Sequence, residues 1–255
     1  MRARVWIVAR SLIVPTTLLA LWELLSRGGA AAEYAFVPLR RIAAAAREVL
    51  ADGDLLGNVI ASARRAGVGL VTGSVAGLLF GACLGTSRLC ERTLGPLYHG
   101  LRQVPLLGLA PLIGLWFGNG EGAKRLVVSL AAFYPVALAT ADGLRGADRA
   151  HLELARALML DRRQIFRHVL VPAAVPFIVT GLLQALAFSW LATMGSELLF
   201  TASAGLGSFM QQGEANGRME LVIVGVAAIA AVGLAMNGLV SRAGRRLLAW
   251  RSAGG

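Results

Sequence analysis

Few residues in this 255-residue chain have the types and the spacing that catalysis or metal binding requires. The three histidines, His99, His151 and His168, lie in basic segments without cysteine or carboxylate partners at ligand spacing, so no metal site is predicted. The sequence has no Gly-x-x-x-x-Gly-Lys-Ser/Thr phosphate loop, and we expect no ATP site in this chain. Cys83 and Cys90 are predicted to be reduced, structural thiols. The residues thus favour neither an enzyme nor a chain with its own cofactor.

Polar side chains inside long apolar stretches are more informative, because lipid makes an unpaired polar group costly. Arg102, Ser189, Thr193 and Glu197 are such residues and are candidates for lining a pathway through a membrane. The last three recur every four residues and therefore lie near one face of a helix. Interhelical hydrogen bonding is the alternative for Ser189 and Thr193, and pairing with Arg218 or exposure to water is the alternative for Glu197.

The composition places these residues in a membrane protein. Hydrophobic residues make up 56% of the chain, the mean hydropathy is +0.66, and 15% of residues are charged, against about a quarter in soluble domains. The net charge of +11 could suggest nucleic acid, but basic nucleic-acid-binding domains do not carry long apolar runs between their charges. We therefore expect membrane insertion and no nucleic-acid partner.

Six apolar runs are long enough to be membrane spans. Because lipid offers no hydrogen-bond partners to the backbone, these runs predict helices and an all-α, polytopic fold. The predicted spans are Val5–Leu25, Ala66–Thr86, Leu101–Phe117, Leu126–Asp142, Ala173–Gly195 and Leu221–Val240. Pro105 and Pro111 are expected to bend the third span.

The distribution of Lys and Arg predicts the orientation of the spans. With the N-terminus inside, 14 of the 25 basic residues fall in inner segments and 9 in outer segments, so both termini are predicted to be cytoplasmic. Arg2, Arg4 and Arg10 followed by Ala30-Ala31-Ala32 also resemble a cleavable signal peptide. We favour a retained helix, because the first apolar run is as long as a full bilayer crossing.

Two further patterns concern helix packing. Pro38 to Leu50 places Ile42, Ala45, Ala46 and Val49 on one face and predicts an amphipathic helix on the outer surface. The second span carries a small-residue ridge with a glycine at every fourth position, which lets another helix approach closely. That helix belongs either to the same chain or to a second copy. The ridge consists of Gly69, Gly73, Gly77, Gly81 and Gly85.

The longest charged inner segment, residues 145–172, is predicted to form a helical hairpin. A break is expected at Met159-Leu160, since Asp161 can cap the second helix and Gln164 can reach back as in a capping box. We expect Leu152, Ala155, Leu158 and Met159 to form one apolar face. Charged residues, Glu153, Arg156 and Arg163, lie on the other faces.

The spacing within this hairpin resembles the EAA loop of the permease subunits of binding-protein-dependent ABC importers. That pattern is Glu-Ala-Ala, three residues, Gly, nine residues and Ile-x-Leu-Pro; the chain has Glu153-Leu154-Ala155, then Met159, then Val169-Leu170-Val171-Pro172. Met159 replaces the glycine of a tight left-handed turn, so the turn is expected to be helical or strained. The resemblance is strongest to the nitrate, sulfonate and taurine branch. It extends to Gly85-Thr86-Ser87-Arg88, Leu101-Arg102-Gln103-Val104-Pro105, Ala110-Pro111-Leu112, Trp116-Phe117-Gly118-Asn119-Gly120-Glu121, Glu197 and Gly205-Leu206-Gly207.

The resemblance implies a type I ABC importer permease in a bacterial inner membrane, moving a small anion such as a sulfonate, taurine or nitrate by alternating access. It implies as partners a dimer of ATP-binding subunits holding ATP and magnesium, a second permease copy and an external solute-binding protein. It implies a division into residues 1–65, with the first span and the outer helix, and residues 66–255, a five-helix core. The residues it assigns to ATPase coupling are Glu153, Leu154, Ala155, Arg156, Leu158, Met159, Asp161 and Pro172.

Two other membrane functions are less compatible with the sequence. A secondary transporter or channel needs no ATPase, but the sequence shows no mid-span acid for a proton or sodium relay and no evident inverted repeat. A membrane enzyme needs a convergent catalytic set, whereas the histidines and acids are dispersed in loops. Uptake driven by an ion gradient alone would favour the secondary transporter.

Overall fold

The chain folds into helices joined by short turns. A computed structural model describes residues 2–29, 34–200 and 203–247, and this part of the chain contains no strand, which confirms the all-α prediction. Side chains are not described for residues 2–12, 243 and 245–247. The Ala30-Ala31-Ala32 segment, where signal cleavage was considered, lies outside the described residues.

The helices follow one another in a simple order. We number them α1 (Arg2–Leu25), α2 (Leu39–Ala51), α3 (Asp54–Thr86), α4 (Arg88–Leu101), α5 (Ala110–Phe117), α6 (Glu121–Arg145), α7 (Arg149–Ala157), α8 (Arg162–Ile165), α9 (Val171–Leu199), α10 (Leu206–Ala215) and α11 (Met219–Leu247). A 3₁₀ turn, Leu106–Leu109, precedes α5, and a π-helical turn, Phe166–Leu170, joins α8 to α9.

Four helices among the described residues are long and apolar enough to cross a membrane, and the bent pair of Arg88–Leu101 with Leu106–Phe117 would make a fifth. In α1, the apolar stretch Ile13–Leu25 is shorter. The helices run several residues past the predicted apolar cores, since hydropathy marks the lipid-facing part and not the helix end. The total of six spans stays a prediction.

The predicted third span, Leu101–Phe117, is wrong as a continuous helix. Leu101 is the last residue of α4, helix resumes only at Leu106, and the pair Arg88–Leu101 and Leu106–Phe117 is bent by 88° at the break between them. Pro105 lacks a backbone donor and disfavours helix in the residue before it, which explains why α4 ends near Leu101 and a new helical turn begins at Leu106. Pro111 lies in the first turn of α5, where a missing donor costs little.

The glycine ridge of α3 packs against α6 in the same chain. A side-chain carbon added at Gly77 would lie 2.8 Å from the carbonyl oxygen of Phe133, and one at Gly85 would lie 3.0 Å from Leu144. Since no side chain larger than hydrogen fits there, the ridge brings the two backbones together. The α3 helix runs unbroken from Asp54 to Thr86, so the predicted division between residues 65 and 66 falls inside a helix.

The amphipathic helix predicted for Pro38 to Leu50 is present as α2. Its apolar face packs on the protein, where Ala45 and Val49 are buried and Ile42 and Ala46 contact the same cluster. This cluster also contains Leu206, Phe209 and Val224 from α10 and α11. The α2 helix is therefore attached to the C-terminal helices as well as to the start of α3.

The prediction of two reduced cysteines is wrong, because the structure joins Cys83 to Cys90 in a disulfide. On one continuous helix, seven residues would separate the two Cα atoms by about 10 Å. Ser87 instead ends α3 and caps α4 by accepting a hydrogen bond from the Cys90 amide. The chain turns at this point, and the two Cα atoms lie 6.2 Å apart.

Candidate functional site

Residues 145–172, here called the hairpin, have the predicted helix, turn and helix. Asp161 Oδ1 accepts from the amide of Gln164 at 2.7 Å, and Gln164 Oε1 accepts from the amide of Asp161 at 2.8 Å. This reciprocal pair is the predicted capping box. The second helix then continues through the π-helical turn into α9 past Pro172.

The turn of the hairpin centres on Met159. Its φ is +53°, and Met159 is the non-glycine residue with positive φ in the described part of the chain. The Met159 amide donates to Arg156 O at 2.9 Å and the Leu160 amide donates to Ala155 O at 3.0 Å, which is the Schellman pattern that closes a helix. The expected strain is therefore present, since a left-handed residue in this pattern is usually glycine.

The apolar surface of the hairpin differs from the predicted face. Ala155 is buried against its own chain, so it does not belong to an exposed contact surface. Leu154, Leu158 and Met159 are exposed by 58%, 64% and 91%. Glu153 and Arg156 are also exposed. The hairpin thus offers three apolar side chains beside charged ones, with nothing from the described chain covering them.

A groove of about 660 Å³ runs between α7 and the first turns of α9. Leu154, Leu158 and Pro172 line it, together with His151 and His168. His151 lies 3.7 Å from Asp148, the residue whose side chain caps α7, and His168 Nδ1 lies 3.0 Å from the Gln164 carbonyl oxygen. Four of the eight residues assigned to coupling, Leu154, Ala155, Leu158 and Pro172, therefore lie along this groove.

The opposite ends of α6 and α9 contain a largely buried group of charges, of which the sequence pointed only to Glu197. This charge network consists of Arg65, Glu121, Lys124, Glu197 and Ser203. Arg65 forms ion pairs with both carboxylates, with its Nη2 at 2.6 Å from Glu121 Oε1 and its Nη1 bonded to Glu197 Oε1. Lys124 Nζ donates to Ser203 Oγ at 2.9 Å. Two cations and two anions thus lie together, with Arg65, Lys124 and Glu197 buried and Glu121 partly exposed.

Backbone groups complete the network around Glu197. The amide of Gly207 donates to Glu197 Oε2 at 2.7 Å, and Ser62 Oγ donates to Oε1 at 2.7 Å while accepting from the Leu206 amide. A side-chain carbon added at Gly205 or Gly207 would lie 2.6 Å from Glu197 atoms. Glycine at these two positions lets the chain approach the carboxylate closely.

Three of the four pathway candidates do not line a cavity. Ser189, Thr193 and Glu197 are fully buried. Ser189 Oγ donates to the carbonyl of Leu186 and Thr193 Oγ to that of Ser189, so both bond within α9 and not between helices. Glu197 pairs with Arg65, whereas Arg218 bonds Glu48 and Glu220. The shared face that their spacing predicts exists, but it faces packed protein.

Arg102 alone of the four lines open space. A cavity of about 520 Å³ lies where the bent pair meets α6 and α9, and Arg102, Gln103, Tyr134 and Gln184 contribute its polar groups. Gln184 lies five residues before Ser189, and a step of five residues is about 140° beyond a full helical turn, so Gln184 does not share the face of Ser189 and Thr193. The same offset turns it toward this cavity.

Arg65 could have been found from the sequence. It lies four residues before Gly69, so it continues the register of the glycine ridge onto the buried face of α3. Glu121 and Lys124 begin α6, the helix against which that ridge packs. Their partnership needs the turn after α9 to return to the bundle, and no local pattern predicts that turn.

Known proteins similar in sequence to this chain are membrane components of importers. The family model described as "Binding-protein-dependent transport system inner membrane component" matches residues 69–249. The provisionally assigned aliphatic sulfonates transport permease protein SsuC of Bacillus subtilis (strain 168) is 32% identical over 95% of this chain and 88% of its own length. The nitrate import permease protein NrtB of Leptolyngbya laminosa is 34% identical over 74% of this chain and 67% of its own.

A solved structure has the same fold. The crystal structure of an amino acid ABC transporter with histidines contains a chain that matches with a TM-score of 0.65. The match covers 78% of this chain and 97% of that chain at 21% sequence identity. The chain therefore has a type I ABC importer permease fold.

Proposed function

The chain belongs to the family of binding-protein-dependent transport system inner membrane components and is the permease subunit of an ABC importer, and from this premise we propose how it works. Its hairpin couples transport to a separate ATPase. The cavity lined by Arg102 forms part of the path of a small anion such as a sulfonate, taurine or nitrate. The names of the two relatives support a sulfonate or nitrate.

The observation that carries the coupling proposal is the exposed apolar surface of the hairpin. Leu154, Leu158 and Met159 would cost free energy in water, at about 25 cal/mol per Å² of apolar surface, and a partner that covers them recovers it. Glu153 and Arg156 beside them provide the orienting charges. A dimer of ATP-binding subunits, which holds ATP and magnesium, is the proposed partner.

The hairpin is rigid, which suits it to transmit a movement of the ATPase to the membrane helices as well as to bind the ATPase. The capping box and the Schellman turn fix both sides of the break, and the second helix joins α9 without interruption. A push on the hairpin therefore acts on a membrane helix directly. Among the coupling residues, Asp161 and Pro172 shape this connection, while Ala155 packs the hairpin against its own chain.

The assembly follows from the same premise. Two permease copies, each with one hairpin, would bind the two ATPases, and a solute-binding protein would deliver the anion on the opposite side. We propose that the hairpin and both termini face the cytoplasm, since inner segments hold 14 of the 25 basic residues. The charge network then lies near the outer face.

Exchange of Glu153 for lysine tests the coupling proposal. Glu153→Lys reverses one of the orienting charges and should abolish co-purification of the ATPase and solute uptake, while the permease still inserts. Glu214→Lys is the matched control, because Glu214 is also exposed but lies on α10. Recovery of the ATPase in equal yield from both variants would remove the assigned role of the hairpin.

A further inference from the structure

The cavity that contains Arg102 has a composition that narrows the class of anion. It lies midway along two candidate spans, since Tyr134 is near the centre of α6 and Gln184 to Phe188 near the centre of α9. The third wall is the break in the bent pair. Discontinuous helices at mid-membrane are a common setting for transported solutes.

The polar part of this cavity favours a negative charge. Arg102 has no ion-pair partner among the described residues, although it lies beside the Tyr98 hydroxyl. Gln103, Gln184 and Tyr134 add neutral hydrogen-bonding groups, and no aspartate or glutamate lines the cavity. A guanidinium with nearby amides suits a sulfonate or carboxylate group, which can accept several hydrogen bonds.

The rest of the cavity favours an apolar stem attached to that charge. Phe188 and Leu191 line it and keep about half or more of their surface exposed within the single chain. A cavity of about 520 Å³ is within the usual size for small-molecule sites and is much larger than an inorganic oxyanion needs. Nitrate would leave the apolar wall uncovered, and the ammonium group of taurine would meet no carboxylate.

We infer that this cavity binds an organic anion with a hydrocarbon stem, whose charged head lies on Arg102 and whose stem lies on Phe188 and Leu191. The inference rests on the proposed importer function and assigns, within it, an alkanesulfonate in preference to nitrate or taurine. Specificity would then lie partly in the permease itself.

Binding to the full-length chain in lipid nanodiscs tests the assignment. Titration calorimetry with methanesulfonate, butanesulfonate, hexanesulfonate, taurine and nitrate should show affinity rising about threefold to fourfold per methylene group of the stem. Taurine and nitrate should bind at least tenfold more weakly than butanesulfonate. Equal affinities for nitrate and hexanesulfonate would overturn the inference.

Variants separate binding in the cavity from partition into lipid. Arg102→Gln should weaken alkanesulfonate binding at least tenfold, and Arg102→Lys should restore most of it. Arg88→Gln is the matched control, an exposed arginine at the other end of α4 that should leave binding unchanged. Binding that keeps its stem dependence in Arg102→Gln would show lipid partition and would also overturn the inference.

Folding and ATPase coupling are each measured by an experiment separate from the titrations. Leu191→Trp fills the cavity without changing a charge and should lower affinity while thermal unfolding stays that of the wild type. Unchanged affinity in folded Leu191→Trp would exclude this cavity. The Glu153→Lys pull-down reports on the importer function alone, so its failure and a failure of the titrations are distinguishable.

Discussion

The two ends of the helical bundle treat their polar and apolar groups in opposite ways. At the charge network, Glu197 and Lys124 are completely buried and have partners within the chain. At the hairpin, Leu158 and Met159 are exposed, and Met159 occupies a strained left-handed conformation. The first end satisfies its polar groups within the chain, whereas the second leaves apolar side chains exposed. The two ends therefore differ in what remains available for the proposed contact with the ATPase.

Removal of Glu197 from the charge network should produce the largest loss of stability. Glu197→Ala leaves Ser62 and the Gly207 amide without their acceptor and should destabilise the fold by about 3 kcal/mol. The low end of the usual range applies because Arg65 keeps Glu121. Denaturant unfolding in detergent measures the loss, with Glu214→Ala as the exposed control. Identical unfolding midpoints for the two variants would show that the network contributes no stability.

A larger residue in the glycine ridge should produce a somewhat smaller loss of stability. Gly73→Val places a side chain 2.8 Å or less from Ala132 and the Ser129 backbone, and overpacking of this kind costs about 2 kcal/mol. Gly67→Val on the same helix meets nothing within 4 Å and serves as the control. The measurement is the fraction of folded protein after detergent extraction. A smaller loss for Gly73→Val than for Gly67→Val would contradict the packing of α3 on α6.

In the turn of the hairpin, replacement of Met159 by glycine should stabilise the fold. Met159→Gly relieves the left-handed strain at φ +53° and should raise stability by about 1 kcal/mol. We expect insertion and ATPase association to persist. Thermal unfolding and co-purification measure the two effects separately. If stability rises but the ATPase is lost, the methionine side chain itself makes the contact, and the turn does not suffice.

The smallest expected effect depends on pH. The side-chain hydrogen bond from Arg218 lowers the pKa of the exposed Glu48 on α2. Because the folded value is below the ordinary one of 4.5, this pair contributes stability above that pH and loses it as pH falls through the folded pKa. The difference in melting temperature between wild type and Glu48→Gln should therefore shrink below pH 4.5. A difference that stays constant to pH 3 would exclude the ion pair as its cause.

The sequence correctly predicts the features that depend on residues close together in the chain. The capping box of Asp161 and Gln164, the amphipathic face of α2 and the all-α fold each depend on residues a few positions apart. The bend at Pro105 is local too, but its angle of 88° depends on packing and could not be predicted.

The candidate site was harder, because hydrogen-bond partners in the structure are distant in sequence. Ser189 and Thr193 have the spacing of a shared face, and that spacing cannot show whether the face meets a lumen or another helix. Arg65 and Glu197 are 132 positions apart and meet only once α3 and α9 are packed. The same limit hid the turn that brings Cys83 to Cys90.

The uninterrupted helical path from Arg162 to Leu199 is long enough to act as a lever in the proposed coupling. It has 38 residues and is therefore about 57 Å long. Its far end is anchored by Glu197, and its near end is the second arm of the hairpin. A tilt of about ten degrees around the anchored end would carry the near end about 10 Å, roughly the diameter of a helix. A small rotation at the anchored end would therefore become a large displacement of the hairpin.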